Sequence, residues 1–115
     1  PMPLFNIDNH ASGTNLVSFH GRVTFGRETE RCRQRLKELL EQGDRRFVFD
    51  LSDVEYVDSA GIGFLVTCLT TLGQAGAQLR LTSLPHRVKH VLSITRLNTV
   101  FEIFPSQEQA LKNFD

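Results

Sequence analysis

The chain has 115 residues, 40% of them hydrophobic and 23% charged, with 13 basic side chains against 13 acidic ones. That length supports one domain spanning residues 1–115, which buries roughly two-thirds of its unfolded surface and needs no disulfide staples. A formal net charge of zero argues against a nucleic-acid-binding domain and against a polybasic membrane anchor, since either would unbalance the count.

The start of the chain, Pro1-Met2-Pro3-Leu4-Phe5, has neither the charged n-region nor the long apolar h-region of a signal peptide. Phe5-Asn6-Ile7 and Leu16-Val17-Ser18-Phe19 read as two short strands. The turn formers Asn9 to Thr14 lie between them, which predicts an antiparallel hairpin. From Arg27 to Gln42 the period changes: Cys32, Leu36, Leu39 and Leu40 form one apolar stripe on a helix, with Gly43 as its C-cap. The basic stretch Arg27 to Lys37 is interleaved with Glu28, Glu30 and Glu38, the pattern of a solvated helix face.

Arg46-Phe47-Val48-Phe49-Asp50-Leu51 has too little polar alternation for a half-exposed strand and is expected in the centre of a sheet. Ser52-Asp53 predicts a turn, Val54 to Val57 a short extended piece, and a second helix begins near Asp58 or Ser59 and runs to about Ala75. This helix is nearly free of charge. Ile62, Val66, Leu69 and Leu72 make one stripe, and Phe64, Cys68 and Thr71 a second. The second stripe is either core or a docking strip.

Gly73 and Gly76 end the helix, and Gln78 to Thr82 alternates as a strand. Pro85 opens a third helix with Val88, Val91, Leu92 and Thr95 on one face. Val100 to Phe104 is the last strand, and Ser106 with Gln109 is a capping box for a terminal helix carrying Ala110, Leu111 and Phe114. This order implies an α/β fold: a mixed sheet with a parallel portion and about four helices packed against it. Cys32 and Cys68, 36 positions apart, show neither CxxC nor zinc spacing and read as buried free thiols, in keeping with a reducing cytoplasm. The longest apolar stretch, around Ala60 to Val66, is far short of a membrane span.

Most of the chemistry lies between Asp50 and Gly63. There a carboxylate and a hydroxyl, Asp58 and Ser59, open the uncharged helix, with Ala60, Gly61 and Gly63 following. One reading is an N-cap followed by glycines for close packing. The other makes Ser59 a phosphoacceptor. A phosphate at a helix N-terminus meets free N–H donors, yet it adds about −1.5 to −2 charges to an otherwise apolar surface. Such a charge acts on binding more than on folding.

Other chemistries fit less well. A nucleophile elbow needs GxSxG, and Val57 stands where its first glycine would be. None of His10, His20, His86 and His90 has a context that fixes it near Ser59. Gly61-Ile62-Gly63 lacks the third glycine of a dinucleotide fingerprint, and no phosphate-binding lysine follows. His86 and His90 stand at i and i+4 around Arg87-Val88-Lys89, which has no glutamate, so no metal site or cofactor is expected.

Phe47 to Gly63, and more loosely almost the whole chain, resembles the STAS domain of bacterial anti-sigma-factor antagonists. The likeness rests on the apolar strand ending Asp50-Leu51-Ser52, on Val54 and Val57, on Asp58-Ser59-Ala60-Gly61-Ile62-Gly63, and on the weaker Gly21-Arg22-Val23 junction. It implies that Ser59 is phosphorylated by an anti-sigma factor that is also a serine kinase. The unmodified antagonist binds that kinase and frees the sigma factor, and a serine phosphatase resets the modified form. Asp58, Ala60, Gly61 and Gly63 then form the switch loop, with the glycines allowing a partner close, and Thr24, Phe64, Cys68 and Thr71 are candidate contacts. Family members often carry an acidic residue where this chain has Thr24, and Arg22 and Arg27 make the loop less acidic here. STAS domains also serve as adaptor subunits of membrane transport systems without such a switch, which is the second reading. Either way the resemblance implies a non-enzymatic cytoplasmic protein with protein partners, no nucleic acid and no direct membrane insertion.

Overall fold

A computed structural model describes residues 3–10 and 13–114. The elements follow the chain as β1 (Phe5–Asn9), β2 (Asn15–Val23), α1 (Arg27–Glu41), β3 (Arg46–Val57), α2 (Ser59–Gln74), β4 (Gln78–Thr82), α3 (His86–Ile94), β5 (Glu102–Phe104) and α4 (Gln107–Ala110). A short 3-10 turn, Leu97–Thr99, precedes β5. The expected hairpin is present, with Phe5 opposite Phe19 and Asn9 opposite Asn15. Ala11 and Ser12, the middle of its predicted turn, lie outside the described residues.

The sheet runs β1-β2-β3-β4-β5, antiparallel at β1–β2 and parallel elsewhere. Parallel crossovers are right-handed, so a strand order that never reverses sends every connecting helix to the same face. α1, α2 and α3 accordingly share one core with Val17 and Phe19 of β2, Phe47 and Phe49 of β3, and Leu79 and Leu81 of β4. Phe19 and Phe49 meet edge to face at 5.0 Å. The opposite face of the sheet is left to α4, whose Ala110 packs on Leu16 and Val48.

The stripes of α1 and α2 meet across this core: Cys32, Leu36 and Leu39 are buried on α1, and Ile62, Leu65, Cys68 and Leu72 on α2. Both helices end the same way, with a glycine just past the cap in the left-handed region, Gly43 at φ 99° and Gly76 at φ 76°. There the amides of Gly43 and Asp44 return to Leu40 and Leu39, and those of Gly76 and Ala77 to Gly73 and Leu72, which satisfies the last carbonyls.

Three expectations change. Ser52-Asp53 is not a turn: β3 continues through it for 12 residues, because β2 extends to Val23 and pairs alongside. Two register shifts, between Ser18 and His20 and between Gly21 and Arg22, each place an extra residue in β3. The Asp50 carboxylate accepts from the Ser52 amide at 2.8 Å, a local turn-like bond inside a strand. The last strand starts at Glu102, leaving Val100 54% exposed. Arg80, expected on the polar side of an alternating strand, is only 7% exposed because α4 covers it. No described helix is long and apolar enough to cross a membrane.

Candidate functional site

β2 and β3 end side by side, with Val23 opposite Val57, and α2 starts at Ser59 after the single intervening residue Asp58. Asp58 takes extended backbone and its Oδ1 accepts from the Gly61 amide at 2.7 Å, so the aspartate is the N-cap. Ser59 is left outside the cap. It is exposed at the first position of the helix, and its hydroxyl has no hydrogen-bond partner among the described residues.

Two glycines that look alike in the sequence have opposite surroundings. Gly61 is buried, and a methyl group there would stand 2.0 Å from the Val23 carbonyl oxygen. Its small size serves the junction of α2 with β2, which corrects the expectation that it admits a partner. Gly63 is exposed with nothing within 4 Å of an added methyl carbon. Ala60 and Gly63 open onto a groove of about 390 Å³ between α1 and α2, with Phe25, Thr29, Phe64 and Thr67 on its walls.

The second α2 stripe divides. Cys68 is fully buried and cannot touch a partner, since this side of α2 turns into the core shared with α1. Thr71 is half-buried. Phe64 is half-buried as well, packs edge to face on Phe19 at 6.1 Å and still lines the groove. Burial pushes the Cys32 thiol up to about 12 and the Cys68 thiol well above its usual range. Neither cysteine should therefore react with a maleimide in the native protein at pH 8, and both should react in denaturant. Native labelling of Cys68 at the rate of a free thiol would contradict this packing.

Thr24 is half-buried on the loop between β2 and α1, its hydroxyl donating to the Phe25 carbonyl at 3.4 Å. A second concavity, of about 710 Å³, is also bordered by Phe25 and takes in His20, Arg22, Thr24, Arg27 and Glu28. Arg22 stacks over Tyr56 at 4.7 Å. Glu28 is held below the usual carboxylate range by its hydrogen bond from Arg31, then by the Leu4 amide. His20 sits between Asp53 at 2.8 Å and Asn6 at 2.6 Å. Phe25 was not legible as a site residue, because a lone aromatic between Thr24 and Gly26 belongs to no periodic pattern.

No three His, Cys, Asp or Glu side chains converge among the described residues. His86 and His90 are exposed on α3 beside Lys89 and border a cavity of about 300 Å³ remote in sequence from Ser59. The strand order also lacks the reversal at which open parallel sheets form a ligand crevice. What the arrangement offers is an exposed hydroxyl on a capped helix end, next to a groove that Phe25 borders.

A family model described as STAS domain matches residues 8–110. A Thermotoga neapolitana protein named as a candidate anti-sigma factor antagonist is 36% identical over 75 residues, which are 65% of this chain and 66% of that one. The match thus spans just under two-thirds of that relative. The anti-sigma-B factor antagonist of Bacillus subtilis is 35% identical over 77 residues, 66% of this chain and 69% of its own. Among solved structures, the phosphorylated form of the Bacillus cell fate determinant SpoIIAA superposes with a TM-score of 0.73 at 16% identity, covering 93% of this chain and 96% of that one. This last likeness is one of fold.

Proposed function

This chain belongs to the STAS domain family, and from that membership we propose that it is an anti-sigma-factor antagonist whose binding to an anti-sigma serine kinase is controlled by phosphorylation of Ser59. The observation that carries the reading is the division of labour at the start of α2. Asp58 caps the helix, so the Ser59 hydroxyl is exposed and spare. A hydroxyl that held the cap could not be modified without loosening the helix. Here a phosphate meets the remaining free N–H groups of the first turn and leaves the fold intact.

The modification adds about −1.5 to −2 charges beside Asp58 and an uncharged helix face. A partner seated on Ala60 and Gly63 then faces a new anion, and the complex opens. A serine phosphatase restores binding. In this role the protein works in the cytoplasm, performs no reaction of its own and needs no cofactor. The kinship of relatives named as anti-sigma factor antagonists supports this reading over a transport-system adaptor.

The test is phosphorylation by candidate purified serine kinases with ATP, read by intact mass. One phosphate should appear on the wild type and none on Ser59→Ala, which should still bind the kinase. Ser59→Asp should weaken that binding about tenfold or more, as like charges at an interface do. Unchanged kinase affinity for Ser59→Asp would overturn the charge switch, and co-purification with a transporter and no phosphate would favour the adaptor.

A further inference from the structure

Phe25 is 87% exposed, more than any other large apolar side chain among the described residues. It lines both concavities, and one of them also takes in Ala60, the residue after Ser59. The loop that carries it is held in place: the Thr29 hydroxyl accepts from the Gly26 amide at 3.2 Å and donates to the Gly26 carbonyl at 2.9 Å. An exposed aromatic on a fixed loop contributes nothing to the core but loses little entropy on binding.

The surrounding charges are unequal. Glu28 pairs with Arg31 at 2.8 Å, Glu30 with Arg33 at 2.6 Å, and the Asp58 carboxylate is engaged as a cap. Arg22 and Arg27 have no carboxylate partner among the described residues. Arg27 is the first residue of α1, where the helix macrodipole disfavours a cation. Folding does not explain its place.

We infer that Phe25 anchors the docking surface of this antagonist, with Arg22 and Arg27 flanking it, and that the occupant is an acidic face of the kinase with an apolar cleft for the ring. The inference rests on the proposed function and adds the chemistry of the contact. Aromatic and arginine side chains are the residues that dominate interface energies. A second copy of this chain is the poorer occupant, because a two-fold contact would bring the same cations together. An acidic partner also sets the sign of the switch: a phosphate on Ser59, next to the Ala60 that lines the groove, repels the face that Arg22 and Arg27 attract.

The kinase that modifies Ser59 is titrated against the full chain carrying Ser59→Ala, so that no phosphate accumulates, at low and high salt. Adding Phe25→Ala should weaken binding about 30-fold. Arg27→Glu should slow association about tenfold and flatten its salt dependence. Ile94→Ala, which removes an exposed apolar side chain on α3, should change nothing, and thermal melts should confirm that all variants fold. Phe25→Ala binding within twofold of its parent would overturn this surface even if Ser59→Asp still releases the kinase. A large effect of Phe25→Ala with none of Ser59→Asp would overturn the switch and leave the anchor standing. If Phe25→Ala and Arg27→Glu changed the oligomeric state of the chain and not its kinase affinity, the patch would be a self-interface and the inference wrong.

Discussion

Gly61→Ala is expected to lower the free energy of unfolding by about 3 kcal/mol, near the upper end for overpacking. The new methyl carbon would stand 2.0 Å from the Val23 carbonyl oxygen and 2.9 Å from Val57 Cγ1. The first of these atoms is backbone, held by the pairing of Val23 with Val57, so no side-chain rotation relieves the clash. α2 must lift away from β2, and Ser59 moves with it. Gly63→Ala is the matched comparison. It adds its methyl to open space inside the same helix and should gain roughly 0.5–1 kcal/mol from helix propensity. Urea unfolding followed by circular dichroism measures both, and equal effects would mean that α2 does not press on β2 as described.

Arg80→Ala is expected to cost about 3 kcal/mol and to release α4, because charged hydrogen bonds contribute about 1.5–3 kcal/mol each and do not simply add. The guanidinium donates to the carbonyls of Ala110 at 3.0 Å, Lys112 at 2.5 Å and Asn113 at 3.1 Å, groups that the end of a short helix leaves unpaired. It also lies 4.7 Å over Phe104 and 3.9 Å over Phe114. Gln107 adds a second tie, donating to the buried Asp50 carboxylate. Arg80→Lys should recover less than half of the loss, since an ammonium offers neither the planar fork nor the stacking face. Hydrogen exchange should lose protection at Ala110 and Leu111 while Phe49 in β3 keeps it. Full recovery by lysine would count against the fork.

Where local period and end signals agree, the sequence was sufficient. The stripe and terminal Gly43 of α1, the capping serine of α4 and the hairpin all follow from neighbours in the chain. Ser52-Asp53 misled because its turn chemistry is real, as the Asp50 to Ser52 bond shows; the length of β2 beside it, a long-range fact, keeps the segment in the sheet. Cys68 misled for a related reason. A helix apolar on both sides does not announce which side meets the core, and contact with α1 decides it. Asp58 and Ser59 are both good caps by composition, and only the geometry chooses between them. Arg80 reads as the polar member of an alternating strand until α4 folds over it.

The strand order repeats the chain order from β1 to β5. Each strand after β1 therefore finds a partner already synthesised as it leaves the ribosome, and no later strand must insert between two earlier ones. The contacts that seat Ser59, from β2 and β3 to the first turn of α2, belong to one continuous stretch of chain. That stretch emerges before β4, β5 and the Arg80 clasp, so assembly of the switch can begin before the far edge of the sheet exists.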